Sequence, residues 1–155
     1  MSDIAAQMLT EALAAQKFTR KFVVVELDFS ESSLHELERQ FEAVKYALRG
    51  GYSPENITTL SGLWGAYLGE VLRRQCDLQW EAVVIPEGEP LSATTVVGGV
   101  PVTPVLRRSD QLSNHLSDQL LRPHHRVQLR LEQGVSHNIV SYFEETKAAI
   151  GPRGS

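Results

Sequence analysis

Apolar side chains near the start of the chain are spaced first as in a helix and then as in a strand. The helical spacing predicts a helix over residues 3–16, whose apolar face is formed by Ile4, Met8, Leu9, Ala12 and Leu13. A β-branched run follows that is too short for the core of a helix, and it predicts a buried strand over residues 21–27. The chain is therefore expected to open with one helix and one strand.

A single apolar stripe with a period of three to four residues predicts a second helix. The stripe extends from Leu34 to Leu48, Asp28 or Ser30 can cap its start, and Gly50-Gly51 provides a left-handed stop. We interpret the acidic outer face of this helix as solvated, although such a face also attracts basic partners. Its acidic side chains are Glu31, Glu36, Glu38 and Glu42.

The middle of the chain predicts a long helix followed by a small sheet. Ser53-Pro54 starts a helix over residues 54–75, because serine caps the free N–H groups and proline needs none there. Apolar runs then predict three strands, with Gly98-Gly99 as a hairpin between the last two, at residues 80–85, 91–97 and 100–105. Pro101 and Pro104 lack a ladder donor, which places the last strand at the edge of the sheet.

The C-terminal third is predicted to return to helical structure. Ser109-Asp110 can cap a helix, and Ser136 can cap a terminal one. Residues 123–134 fit either a helix or a strand, because their apolar side chains alternate at Val127, Leu129 and Leu131. Residues 151–155 are expected to form a flexible tail. Together these elements predict an α+β fold over residues 1–150, a single domain with an antiparallel sheet of about three to four strands packed by several helices.

Composition excludes several classes of function. The net charge of −4 argues against general nucleic-acid binding, which needs a positive field to displace counterions. A single cysteine excludes an intramolecular disulfide and the multi-cysteine zinc sites, and the five histidines show no ligand spacing. No run approaches about 18 apolar residues, and the N-terminus does not look like a signal peptide. We therefore expect a cytoplasmic protein with no cofactor and no metal, membrane or nucleic-acid partner.

The most informative segment is the third predicted helix, because it contains three glycines. Each glycine inside a helix costs about 1 kcal/mol relative to alanine, so a compensating interaction is expected. Helical spacing places Gly62, Gly65 and Gly69 on one side, opposite a broad apolar side. Either another element of the fold packs against this bare side, or the bare side forms the floor of a groove for a ligand or partner.

Glu70 is the candidate for chemistry in such a groove. It can pair with Arg73 or Arg74 and could act as a general acid or base if a groove removed it from water. No second carboxylate stands at a fixed helical spacing from it. Cys76 follows a helix C-terminus, where the partial negative charge disfavours a thiolate. No catalytic residue is assigned for these reasons.

Residues 65–74, followed by Trp80 on a strand, resemble a helix motif of an uncharacterised family of bacterial domains of about this size. The second half is similar as well, through the Arg-Leu-Glu-x-Gly segment that ends at Gly134 and an amphipathic terminal helix. The resemblance implies the α+β fold but provides no established catalytic activity to transfer, and residues 103–122 look like an insertion in it. The matching positions that packing explains least are Tyr67, Glu70, Trp80 and Arg130, which we expect to lie near one another.

Charge is unevenly distributed along the chain. Residues 26–42 hold six acids and one base, whereas residues 107–130 hold two acids and five arginines, namely Arg107, Arg108, Arg122, Arg126 and Arg130. These charges form either a solvated mixed surface or a basic patch that meets an acidic partner. The same asymmetry would allow head-to-tail self-association.

The favoured function is a non-enzymatic module for protein binding or assembly, such as an immunity-type neutraliser of another protein. The alternatives are a small-molecule sensor or enzyme that uses Glu70 in the glycine groove, and a structural subunit of a larger assembly. The predicted binding residues are Tyr67, Glu70, Arg73, Trp80, Arg107, Arg108 and Arg130.

Overall fold

The computed structural model describes residues 3–84, 95–97, 100–108 and 121–150, with the backbone alone for 95–97, 100 and 101. In chain order the elements are α1 (Asp3–Val23), α2 (Glu31–Ala47), α3 (Pro54–Gln75), β1 (Leu78–Val84), β2 (Thr95–Val97), β3 (Val100–Arg108), α4 (Pro123–Gln133) and α5 (Ile139–Ile150). A short 3₁₀ helix, Val135–His137, lies between α4 and α5. The predicted α+β class with a small antiparallel sheet is confirmed. No helix in the described part of the chain is long and apolar enough to cross a membrane.

Helix α3 lies at the centre of the fold, packed against α1, α4, α5 and β1. Its predicted bounds are confirmed, and its start follows the predicted signal. The Ser53 hydroxyl accepts a hydrogen bond from the Asn56 N–H at 3.1 Å, and Pro54 occupies the first turn. From Trp64 to Leu72 every residue of α3 is buried, so the helix has neighbours on all sides.

Helix α1 is longer than predicted, and the predicted strand over residues 21–27 is wrong. The helix continues to Val23 because its apolar face keeps packing beyond Ala15. Near its end, the buried Trp64 indole donates a hydrogen bond to the Thr19 hydroxyl at 3.1 Å. Phe22 is 65% exposed and Val24 is 86% exposed, whereas Val25 packs against the core, so the β-branched run is not a buried strand. The helix ends where Val24 takes a φ of +56°.

Helix α2 begins and ends where the sequence predicts. The Ser30 hydroxyl accepts from the Ser33 N–H at 3.2 Å, which identifies Ser30 as the N-cap. After Ala47, Gly50 and Gly51 take φ values of +111° and +91°, which turn the chain away from the helix. The core side of α2 is formed by the buried residues Ser33, Leu34, Leu37 and Phe41.

The sheet is antiparallel with the strand order β1-β3-β2, and β1 pairs with β3 from Leu78↔Arg108 to Val84↔Val102. The predicted edge position of the last strand is therefore wrong, since β3 lies in the middle. On the side away from β1, Leu106 exchanges two 2.8 Å backbone hydrogen bonds with Leu121. Backbone N–H groups point alternately to the two sides of a strand, so the nitrogen of Pro104 faces the same side as that of Leu106, at a position past the end of β2. The backbone nitrogen of Pro101 faces the other side, at a position past the end of β1. Within the described strands, neither proline therefore removes a ladder hydrogen bond.

The C-terminal third is helical, which decides between the two structures that residues 123–134 allowed. Helix α5 is capped by Asn138 and not by Ser136, because the Asn138 carboxamide oxygen accepts from the N–H groups of Val140 and Ser141. Residues 103–108 of the predicted insertion belong to β3. The remainder, 109–120 with its predicted helix, lies outside the described residues, as do Gly98-Gly99 and the tail 151–155. The strand count of three to four stays a prediction, because residues 85–94 are not described either.

Candidate functional site

The glycine side of α3 is filled by other parts of the same chain. A β-carbon placed on Gly65 would lie 2.6 Å from the Cα of His124 in α4. On Gly69 it would overlap the Trp80 ring and lie 3.2 Å from Cγ of Pro123. At Gly62 there is open space. Among the described residues, the packed alternative is thus confirmed for two of the three glycines, Gly65 and Gly69.

Glu70 lies inside this packed interface and is 1% exposed. Its carboxylate accepts hydrogen bonds from the Trp80 indole at 2.8 Å and from Arg73 Nε at 2.7 Å, and Arg74 lies 3.9 Å away. The predicted pairing with Arg73 is confirmed, and the bond from Glu70 raises the pKa of the Arg73 guanidinium. A carboxylate enclosed by these donors joins α3 to β1. The predicted role of Glu70 in a ligand groove stays a prediction.

Tyr67 has a separate structural task on the opposite side of α3. Its buried hydroxyl accepts from the Phe29 N–H at 2.8 Å and lies 2.5 Å from the Ser33 hydroxyl. Its ring stacks on that of Phe29 with centroids 5.0 Å apart, and burial raises the pKa of the phenol. Tyr67 therefore holds the start of α2 against α3. It makes none of the hydrogen bonds of the Glu70–Trp80 pair, but the two are linked, because the Arg74 guanidinium lies 3.8 Å from the Phe29 ring centroid and 3.9 Å from Glu70.

Arg130 forms a third buried cluster, between α4 and α2. The guanidinium is 1% exposed and pairs with Glu38 at 2.7 Å and with Glu42 at 3.1 Å. The Glu38 carboxylate also accepts from the Ile139 N–H at 2.9 Å, at the start of α5. The acidic helix α2 therefore meets Arg130 of the basic segment 107–130, and this contact lies within one molecule.

The other predicted basic residues lie at two places in the described structure. Arg107 is 8% exposed and donates to Glu81 on the neighbouring strand at 2.6 Å. Arg108 lines a depression of about 390 Å³. Arg126 lines the same depression and places its guanidinium 4.6 Å from the Tyr142 ring centroid. Of the seven predicted binding residues, five are buried, namely Tyr67, Glu70, Trp80, Arg107 and Arg130.

His124 is the titratable group with the most unusual position. It lies against Gly65, its imidazole forms a hydrogen bond with the backbone of Gly62, and its Nδ1 has no hydrogen-bond partner among the described residues. Burial lowers the pKa of the imidazole from 6.5 to about 4. The folded protein therefore keeps His124 neutral at pH values where the unfolded chain would bind a proton.

The expected consequence is a loss of stability in mild acid. Because the unfolded state binds more protons between about pH 4 and 6.5, His124 gives its full contribution above pH 6.5 and loses it as the pH falls towards 4. By pH 5 the loss is about 2 kcal/mol. Urea unfolding of the wild type and of His124→Asn at pH 7.5 and pH 5 measures this difference. His125→Asn, at an exposed position, is the control that should keep the wild-type pH dependence.

The sequence patterns missed a groove between the C-terminal ends of α1 and α2. We call it the α1–α2 groove; its volume is about 280 Å³ and its lining is Phe18, Phe22, Val23, Ala43, Val44, Ala47 and Leu48. Tyr46, one residue from the lining, is 89% exposed. A helical signal was present, since Phe18 and Phe22 are four residues apart. It was hidden because the β-branched run was interpreted as a strand.

Within the described residues, no three His, Cys, Asp or Glu side chains are placed together to hold a metal. The α1–α2 groove is an apolar surface feature that packing leaves open, whereas the predicted site residues mostly hold the fold together. Comparisons with protein families, with curated proteins and with solved structures find no match. The resemblance of residues 65–74 and of the second half to a bacterial family stays a prediction.

Proposed function

We propose that this protein is a non-enzymatic protein-binding module and that the α1–α2 groove is its docking surface. The observation that carries the proposal is an open apolar groove whose rim includes a 65% exposed phenylalanine, Phe22. Contiguous exposed apolar surface is costly in water and marks interaction sites in soluble proteins. Aromatic side chains at such positions supply much of the binding energy at protein interfaces.

The chemistry of the predicted catalytic candidate supports binding over catalysis. Glu70 is enclosed by Trp80 and Arg73, and a general acid or base must come within hydrogen-bond distance of a substrate. The α1–α2 groove, in contrast, is lined by seven residues without a polar side chain. Such a lining can bury apolar side chains of a partner but offers no acid, base or nucleophile.

A photo-crosslinking side chain at position 22 tests the proposal in cells that produce the protein. We expect one discrete crosslinked protein from position 22 and none from the control position Val135, which is equally exposed and does not line the groove. The captured protein, once purified, should bind the unmodified chain. It should lose at least tenfold in affinity for Phe22→Asp, because the charge would enter an apolar contact.

Equal crosslinking from both positions, or unchanged affinity for Phe22→Asp, would contradict the proposal. Reversing the charge of Arg107 does not test it, because Arg107 is buried against Glu81 and its replacement would disturb the sheet. An immunity-type neutraliser is the narrower form of the proposal, and the identity of the captured protein tests it. The proposal includes a cytoplasmic setting, in keeping with the single cysteine, Cys76, which is buried and reduced.

A further inference from the structure

The ends of helices α1 and α2 carry a net positive charge, although the chain as a whole is acidic. Residues 17–26 and 42–49 contain five cations and two anions, a net charge of +3, whereas the whole chain carries −4. Both anions are already paired, Glu26 with Arg20 at 2.8 Å and Glu42 with Arg130 at 3.1 Å. The cations are Lys17, Arg20, Lys21, Lys45 and Arg49. Lys21 lies beside Phe22 of the groove, and Lys45 and Arg49 line a neighbouring depression that shares Ala47 with it. We call these three cations the basic rim of the apolar slot.

The walls of the groove favour a helical partner. Both walls are helices, whose N–H groups at this end are bonded within each helix, and the lining side chains have no hydrogen-bonding group. An extended segment laid in the slot would therefore leave its own C=O groups without donors. A helix satisfies these groups internally and offers a stripe of apolar side chains instead.

Apolar and charged side chains meet at the edge of the groove, beside Phe22. Phe22 stands on the α1 side with its ring 4.9 Å from that of Phe18, and the Lys21 ammonium lies 5.3 Å from the Phe22 ring centroid. On the α2 side, Lys45 is one residue from the exposed Tyr46. A helix whose apolar stripe contacts Phe22 would place the residues beside that stripe next to Lys21 and Lys45.

We infer that the α1–α2 groove binds an amphipathic helix of a partner protein whose apolar stripe is flanked by acidic side chains. The inference rests on the proposed function and names the chemistry of its partner. The slot selects the apolar stripe, and the basic rim selects the acidic flanks and speeds the encounter. Because the rim charges are exposed, their contribution falls as the salt concentration rises.

Two synthetic helical peptides test this inference with the full-length protein. They share leucines at i, i+3, i+4 and i+7, and one carries glutamates beside the stripe where the other carries lysines. We expect fluorescence anisotropy to show at least tenfold tighter binding of the glutamate peptide in low salt and a smaller difference in high salt. Phe22→Asp should abolish binding, and the double variant Lys21→Glu/Lys45→Glu should reverse the preference.

The variant Val135→Asp is the matched control, because it alters an equally exposed valine that does not line the groove and should bind like the wild type. Equal or tighter binding of the lysine peptide would overturn the inference and leave the crosslinking result to decide the proposed function. Failure of both peptides to bind would also overturn it. So would a dimer seen by sedimentation that Phe22→Asp dissociates, because the occupant would then be a second copy.

Discussion

Replacing Arg130 with methionine is expected to lower the free energy of unfolding by about 3–5 kcal/mol. The guanidinium is 1% exposed, so its loss leaves the 11% exposed Glu38 carboxylate in the protein interior without its cation. The remaining donor to Glu38 is the Ile139 N–H at 2.9 Å, which cannot neutralise the charge. The contact of the guanidinium with the Phe41 ring, 5.2 Å from its centroid, is lost as well. Urea denaturation followed by circular dichroism measures the change.

Glu42→Gln is the matched control, because it removes the other partner of Arg130 at a site that is 54% exposed. Its cost should stay below about 1 kcal/mol, as for other solvent-exposed ion pairs. The double variant Arg130→Met/Glu38→Met should recover most of the loss, since apolar side chains can replace a buried ion pair at little cost. A stability of Arg130→Met within about 1 kcal/mol of the wild type would show that Arg130 does not hold α4 to α2.

Local signals explain which helices the sequence predicted well. Ser53-Pro54 and Ser30 act on N–H groups two or three residues away, so the starts of α3 and α2 are encoded within a few residues. The end of α1 is different, because the bond between Trp64 and Thr19 joins residues 45 positions apart. The β-branched run after it was interpreted from propensity alone, and packing of α1 on α3 outweighs that propensity.

The ion pairs of the candidate site also differ in whether local sequence predicts them. The Glu70–Arg73 pair follows from its spacing on one helix, and it was predicted. The Arg130–Glu38 pair joins residues 92 positions apart, and nothing in either local pattern identifies the other partner. The exposed face of α2 was interpreted as solvated for that reason. A pattern of residue types indicates that a charge needs a partner, but the distance to that partner is a property of the fold.

The three glycines of α3 show how much a local anomaly can reveal. Their presence in a helix predicted that something approaches the backbone, and His124 and Trp80 do so at Gly65 and Gly69. The sequence did not distinguish a neighbouring element from a ligand, because both require the same missing side chain. At Gly62 no described neighbour comes within 4 Å of an added β-carbon, so close packing does not require the missing side chain there.

Gly65→Ala and Gly69→Ala are each expected to lower the free energy of unfolding by about 2–3 kcal/mol. At Gly65 the added carbon would lie 2.6 Å from the Cα of His124, so the backbone of α4 must move. At Gly69 it would overlap the Trp80 ring, and moving that ring breaks its 2.8 Å hydrogen bond to Glu70. These costs exceed the gain of about 1 kcal/mol in helix propensity that alanine brings. Thermal and urea unfolding measure both variants.

Gly62→Ala is the internal control, because it makes the same change in the same helix where no atom lies within 4 Å of the new carbon. It should raise the free energy of unfolding by up to about 1 kcal/mol. Since all three variants share the propensity gain, the difference between Gly62→Ala and the other two isolates the close approach of α4 and Trp80. If all three alanine variants raised the free energy of unfolding equally, neither α4 nor Trp80 would pack closely against α3. The glycine side would then be open to a ligand.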